Sequence, residues 1–189
     1  TVSAATGIYA SSNLGTTWVS ITSGGRTANY QKFERSKNVL VVGSDSYDPP
    51  LYWAGSVGTF MATLNSNAPL ARYFINFQGY LIGLNTQARK RGFFYEDENT
   101  QLTGTWATNF DIPSSDDDEL TNAFILRRRL YCSTRYLLQQ VDYIGGNPDW
   151  NYRKIKDFGF VPRSVGIVNV QGVGEVAIGL DWGNRIRIF

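Results

Sequence analysis

Histidine is missing from all 189 residues, and cysteine and methionine occur once each. Without an imidazole, Ser-His-Asp and Cys-His activation of a nucleophile is excluded, and the commonest transition-metal ligand is gone. The lone Cys132 can neither close an intrachain disulfide nor build a thiolate metal cluster. Long apolar runs are missing too. None approaches the roughly 20 residues that span a bilayer as a helix, and the N-terminus has no basic segment leading into an apolar one. The expectation is a soluble chain with no membrane partner and no cofactor. Charge of one sign is scarce: 18 basic against 16 acidic residues leave a net +2, unlike the basic face of a nucleic-acid binder. DNA is therefore a poor first partner.

What is there is apolar and aromatic. With 42% hydrophobic and 14% aromatic residues the chain can bury a sizeable core, and one domain over 1–189 is expected. The chain begins at Thr1 and ends at Phe189 within the alternating run Arg185-Ile186-Arg187-Ile188-Phe189. A fragment or a processed product is expected.

The apolar residues come in short runs divided by turns. Residues 7–21 read as a hairpin, in which Asn13 bonds the turn backbone and Gly15 supplies a positive φ. A turn at Ser23–Gly25 follows. Val39–Val42 is a continuous β-branched run of strand length, which suggests burial on both faces. Asp48-Pro49-Pro50 breaks the chain before a second hairpin pair in residues 51–64, and residues 71–85 repeat the order of aromatic segment, turn and apolar run. The stretch from Gly104 to Trp150 and just beyond holds the clearest unit. Leu120–Leu126, Leu130–Ser133, Tyr136–Tyr143 and Trp150–Ile155 read as a four-stranded antiparallel meander, and Val165–Val170, Glu175–Leu180 and Arg185–Phe189 as three further strands.

Leu40, Leu81 and Leu130 hold comparable places in these units, at separations of about 40 to 50 residues, the period of a β-propeller blade. A lone four-stranded sheet cannot cover both its faces, so such units stack. The expected fold is all-β, a β-propeller of four-stranded antiparallel blades over about 26–66, 70–112, 118–157 and 162 onward. The strands in 1–25 complete the last blade by pairing the chain's two ends, giving four blades, or stand apart and make five.

Two resemblances accompany this reading. Ser11-Ser12-Asn13-Leu14-Gly15-Thr16-Thr17-Trp18 resembles the Asp-box of sialidases and related propellers, with Asn13 in place of the usual aspartate. There the box is a structural turn at the outer edge of a blade, which implies a turn role for Ser11, Asn13, Gly15 and Trp18. The order Ala71-Arg72-Tyr73-Phe74, Gln78 to Gly83, Thr105 to Pro113, Arg129-Leu130-Tyr131, Gly145 to Pro148 and Phe160 to Val165 is similar to β-propeller proteins of tailed bacteriophages and prophages. That resemblance implies a non-enzymatic structural protein of the virion tail or head–tail region. Its partners would be other virion proteins and further copies of itself. A lectin-like propeller that binds a cell-surface glycan is the alternative, since exposed Tyr and Trp could stack sugars.

Candidate chemistry is weighed against these roles. Asp116, Asp117 and Asp118 with Glu119 could hold a hard cation, but they lack the spacing and central glycine of an EF-hand, so a solvated loop is expected and no metal. Arg127, Arg128 and Arg129 fall at a tight hairpin turn, either a charged tip that blocks edge aggregation or an interaction surface. Asp111 with the acidic run, or Glu96, Asp97 and Glu98, could supply a glycosidase pair, which needs two carboxylates about 5 to 9 Å apart. Gly172-Val173-Gly174 precedes a strand rather than a helix and so lacks the helix N-terminus that a phosphate loop uses.

Overall fold

The computed structural model describes residues 2–4, 7–22, 31–112, 118–145 and 149–189, with side chains omitted at 2–4 and 107–111. The turn expected at Ser23–Gly25, together with Asp116, Asp117 and the Gly146-Asn147-Pro148 segment, lies outside the described residues. The described chain is all-β. Eighteen strands form five small sheets.

The first sheet holds β1 (Val2–Ala4), β2 (Gly7–Ala10) and β3 (Val19–Ser20). The second holds β4 (Gln31–Ser36), β5 (Val39–Ser44), β6 (Leu51–Trp53) and β7 (Ala62–Thr63). The third holds β8 (Ala71–Phe77), β9 (Tyr80–Thr86), β10 (Gly92–Asp97) and β11 (Ala107–Asp111). In the fourth are β12 (Asn122–Leu126), β13 (Arg129–Ser133), β14 (Leu138–Tyr143) and β15 (Trp150–Lys156). The fifth comprises β16 (Gly166–Val170), β17 (Gly174–Leu180) and β18 (Ile186–Ile188). Each sheet is a meander whose strands pair in sequence order.

These boundaries follow the apolar runs closely. Among the later starts, β12 begins at Asn122 rather than Leu120, and Tyr136 lies outside β14 because Thr134 closes a turn, its Oγ1 accepting from Leu137 N at 3.2 Å while its own N–H donates to Leu137 O at 3.0 Å. The N-terminal strands form a sheet of their own rather than completing the C-terminal one. Short hairpins hold them, with Val2 opposite Tyr9 and Tyr9 opposite Ser20, so they need no distant partner. Leu40, Leu81 and Leu130 each occupy the second residue of the second strand of their sheet.

The hairpins before these leucines have two-residue turns with left-handed backbone. Lys37 lies at φ 51°, Gln78 and Gly79 at 51° and 82°, and Arg127 and Arg128 at 49° and 61°. Positive φ matches the twist of paired strands, at a cost of about 1 kcal/mol or more where the residue is not glycine.

Contacts divide the chain into two compact units, residues 1–88 with 93–109, and residues 89–92 with 110–189. In the first unit the sheets stack through apolar faces. Val42 joins Ile8, Ala10, Ile21 and Met61 against the first sheet, while its neighbour Val41 joins Phe74, Leu81 and Trp106 of the third. Strand alternation thus buries both faces of β5, as the run Val39–Val42 suggests. In the second unit Phe124, Leu126, Tyr131 and Leu138 of the fourth sheet pack on Phe160 and Ala177. Aromatic edges fill these interfaces: Phe74 meets Trp106 at 6.0 Å, and Tyr131 meets Phe189 at 5.0 Å.

Candidate functional site

The loop between β2 and β3 is tied by its own side chains. Asn13 Oδ1 accepts from Thr17 N at 2.9 Å and from Ser11 Oγ at 2.8 Å, and Ser11 Oγ accepts from Gly15 N at 2.9 Å. Gly15 takes φ 90°, and a Cβ built there would come within 3.5 Å of the half-exposed Trp18 ring. Ser11, Asn13, Gly15 and Trp18 therefore lie together in one self-bonded turn.

The acidic run splits. Asp118, expected in a solvated loop, is buried at 5% exposure, and its Oδ1 accepts from Arg135 N at 2.8 Å and from Glu119 N at 3.0 Å. This corrects the expectation for that residue: its carboxylate is spent on the backbone that leads into β14. The carboxylates Glu96, Asp97 and Glu98 are likewise engaged. Glu96 accepts from Thr100 Oγ1, Asp97 from Asn99 N, and Glu98 from Asn76 Nδ2. Among the described residues, no three His, Cys, Asp or Glu side chains converge as a metal site.

Arg127 and Arg128 form the tip between β12 and β13, where the arginine run was expected to turn. Arg127 is bound rather than free, its N–H donating to Glu175 Oε2 at 3.0 Å and its Nε to Glu175 O at 3.1 Å. Arg129 and Arg153 both donate to Gln140 Oε1 at 3.3 Å, and Gln140 Nε2 donates to Asp142. Arg127, Arg129 and Arg153 therefore stitch strands and sheets in the second unit, whereas Arg128 makes no bond to any described residue.

No protein-family model and no curated protein matches this chain. Its functional surfaces are thus argued from geometry. Two stand out, both in the second unit.

One is the fifth sheet. Register sets Val168 opposite Val176, Ile178 opposite Ile188 and Leu180 opposite Ile186, so Val168, Val170, Val176, Ile178, Ile186 and Ile188 share one face. The other face carries Ala177 and Phe189 and packs on the fourth sheet. Ile186 and Ile188 are 75% and 69% exposed, and Val168 and Val170 are also exposed. Isolated surface aliphatics are ordinary, but a continuous aliphatic sheet face marks a contact surface.

The other is an aromatic and cationic cluster that sequence reading missed. The Arg135 guanidinium sits 5.3 Å from the Tyr136 ring centroid and 5.2 Å from that of Trp182, within cation–π range of both. Tyr136 and Trp182 are 52% and 44% exposed. Trp182 follows Asp181, which is buried at 1% exposure and accepts from Gly183 N at 2.8 Å, Arg185 N at 3.0 Å, Arg185 Nε at 3.0 Å and Arg187 Nε at 2.7 Å. Burial pushes the Asp181 carboxyl up, but these backbone and arginine donors outweigh it and bring it down to about 2. The signal in the sequence is Asp181-Trp182-Gly183-Asn184, an acceptor two residues before a glycine at a strand end. Nothing in it announces Arg135 as the neighbour.

In the first unit a cleft of about 420 Å³ is lined by Arg35, Asn38, Val39, Leu40, Trp53 and Gly55. Trp53 Nε1 there donates to Ser56 O at 3.2 Å, which leaves its ring as apolar wall.

Proposed function

We propose that this chain is a non-enzymatic structural component of a phage or prophage virion, from the tail or head–tail region, that acts through protein–protein contacts. Its successive meanders are read as blades of a β-propeller, with apolar faces meeting between sheets within each unit. The meander order, the equivalent leucines and the stacking through Val41 and Val42 support that architecture. The virion assignment rests on the resemblance of residues 65–189 to phage propellers.

The observation that carries the reading is the exposure of Val168, Val170, Ile186 and Ile188 on one face of β16–β18, around the buried Val176. Covering such a patch removes apolar area from water and so favours association. In an assembly the cover is a further sheet, from another copy or from a neighbouring virion protein.

Sedimentation velocity over a concentration series, together with electron microscopy of the same samples, tests this. The parent protein is expected to form discrete assemblies, and the Ile186→Glu, Ile188→Glu double variant to remain monomeric with an unchanged far-UV spectrum. A parent that stays monomeric at all concentrations and binds no component of a purified particle overturns the assignment.

A further inference from the structure

The Arg135, Tyr136 and Trp182 cluster stands on tied loops, yet its side-chain polar groups have no hydrogen-bond partner among the described residues. Among the described residues the only interactions of the Arg135 side chain are its two ring contacts. The residue's backbone, by contrast, is fastened on three sides. Buried Asp118 accepts from its N–H, Thr134 closes the turn beneath it, and Gly159 runs so close that a Cβ there would overlap Thr134 O and approach Arg135 C at 3.1 Å. Trp182 stands on a second fixed loop, whose backbone amides are held by buried Asp181. Two tied loops thus bring a guanidinium within cation–π range of two half-exposed rings, and little backbone order has to be imposed when a ligand arrives.

We propose that this cluster is a binding site for an acidic saccharide, one whose sugar ring carries a carboxylate. The carboxylate accepts paired N–H bonds from the Arg135 fork. The apolar face of the pyranose lies on the exposed ring of Trp182 or Tyr136, and the indole N–H and phenol O–H are donors for its hydroxyls. One guanidinium beside two rings matches one carboxylate per sugar. A nucleic-acid strand needs a track of cations along its backbone as well as rings, and Arg185 and Arg187 are committed to Asp181. The site does not depend on the assembly role of the aliphatic sheet face.

Methyl β-glucuronide and its neutral counterpart methyl β-glucoside serve as probes, titrated into the full chain and followed by Trp fluorescence and by NMR. The glucuronide is expected to bind with a dissociation constant of about 1 mM, and the glucoside about tenfold more weakly. Arg135→Gln is expected to weaken the glucuronide about tenfold, equivalent to about 1.4 kcal/mol, and to leave the glucoside unchanged. Trp182→Ala weakens both sugars. Both side chains are exposed, and near-UV circular dichroism of each variant verifies the fold; Arg135→Lys, which keeps the charge without the fork, is expected to fall between parent and Arg135→Gln. Equal affinity for the two sugars, indifference to Arg135→Gln, or tighter binding of a single-stranded oligonucleotide than of the glucuronide each overturns the proposal.

Discussion

Gly159→Ala separates a fixed backbone from a merely convenient glycine. Gly159 precedes Phe160 where the chain passes the Thr134–Leu137 turn, and a Cβ added there would lie 1.6 Å from Thr134 O and 2.6 Å from Thr134 C. Both obstacles are backbone, so no side chain can rotate away. A carbon and an oxygen rest at roughly 3.3 Å or more, so one strand must retreat by well over 1 Å. Retreat in one direction pulls Phe160 from its contacts with Phe124 and Phe158. Retreat in the other strains the Asp118 bond to Arg135 N. The expected loss is about 3 kcal/mol or more, the upper range for overpacking, because neither element is free to yield. Gly166→Ala is the matched control. Gly166 has ordinary φ and nothing within 4 Å of the added methyl, so the same change there should be neutral within about 0.5 kcal/mol. Urea unfolding followed by tryptophan emission measures both, with the parent slope serving as the check on two-state behaviour. Equal stability of the two variants would refute the account of a fixed Thr134 loop, and with it the preorganisation of Arg135.

Arg128→Gly should raise stability by about 0.5 to 1 kcal/mol, since φ 61° strains a non-glycine residue and this side chain makes no described bond; a lower thermal midpoint counts against the turn geometry. Burial holds the Glu34 carboxyl above its ordinary value, against the Asn76 N–H and the Lys32 charge. The folded state therefore binds that proton more tightly than the unfolded state, and Glu34 costs stability as pH rises through the ordinary glutamate range. Glu34→Gln keeps an acceptor for Asn76 N and should raise the urea midpoint at pH 7, with the difference fading as pH falls below about 4; a variant less stable at pH 7 contradicts this. Asp181 has the opposite sign: its lowered value of about 2 means that its contribution is present above about pH 4 and is lost as pH falls toward 2. Asp181→Asn should flatten the acid side of the stability profile in that window, and an unchanged acid slope would show that the arginine pairs contribute nothing.

The sheet pattern was legible in the sequence because each sheet is local. Val39–Val42, Leu120–Leu126 and Glu175–Leu180 are short β-prone runs bounded by turn residues, and their partners are the next runs along the chain. Even the Arg127–Arg128 tip could be placed, since only a tight turn fits between its two strands. Asp118 could not. Its run looks solvated, and burial comes from a turn beyond β13 that offers its amide. The cluster at Arg135, Tyr136 and Trp182 was hidden for the same reason: two loops of different sheets meet, and periodicity carries no information about which turns become neighbours. The aliphatic face of β16–β18 is half legible. Alternation shows in Arg185 to Phe189, but which side meets the fourth sheet is decided by Ala177 and Phe189 against Phe160 and Tyr131.

Pairing only between sequence neighbours has a consequence for synthesis. Each ladder joins strands adjacent in the chain, so loop closure costs little and a sheet can zip up once its roughly 40 residues are available. Emerging from the ribosome, the protein could add one leaf at a time, and within each unit the later sheets find an apolar face on an earlier one. In the fifth sheet Ile186 and Ile188 remain exposed after its own three strands have paired, so this apolar surface is on offer as soon as the sheet has formed. If the proposed assembly holds, covering Ile186 and Ile188 would be the last burial step of folding and the first step of assembly.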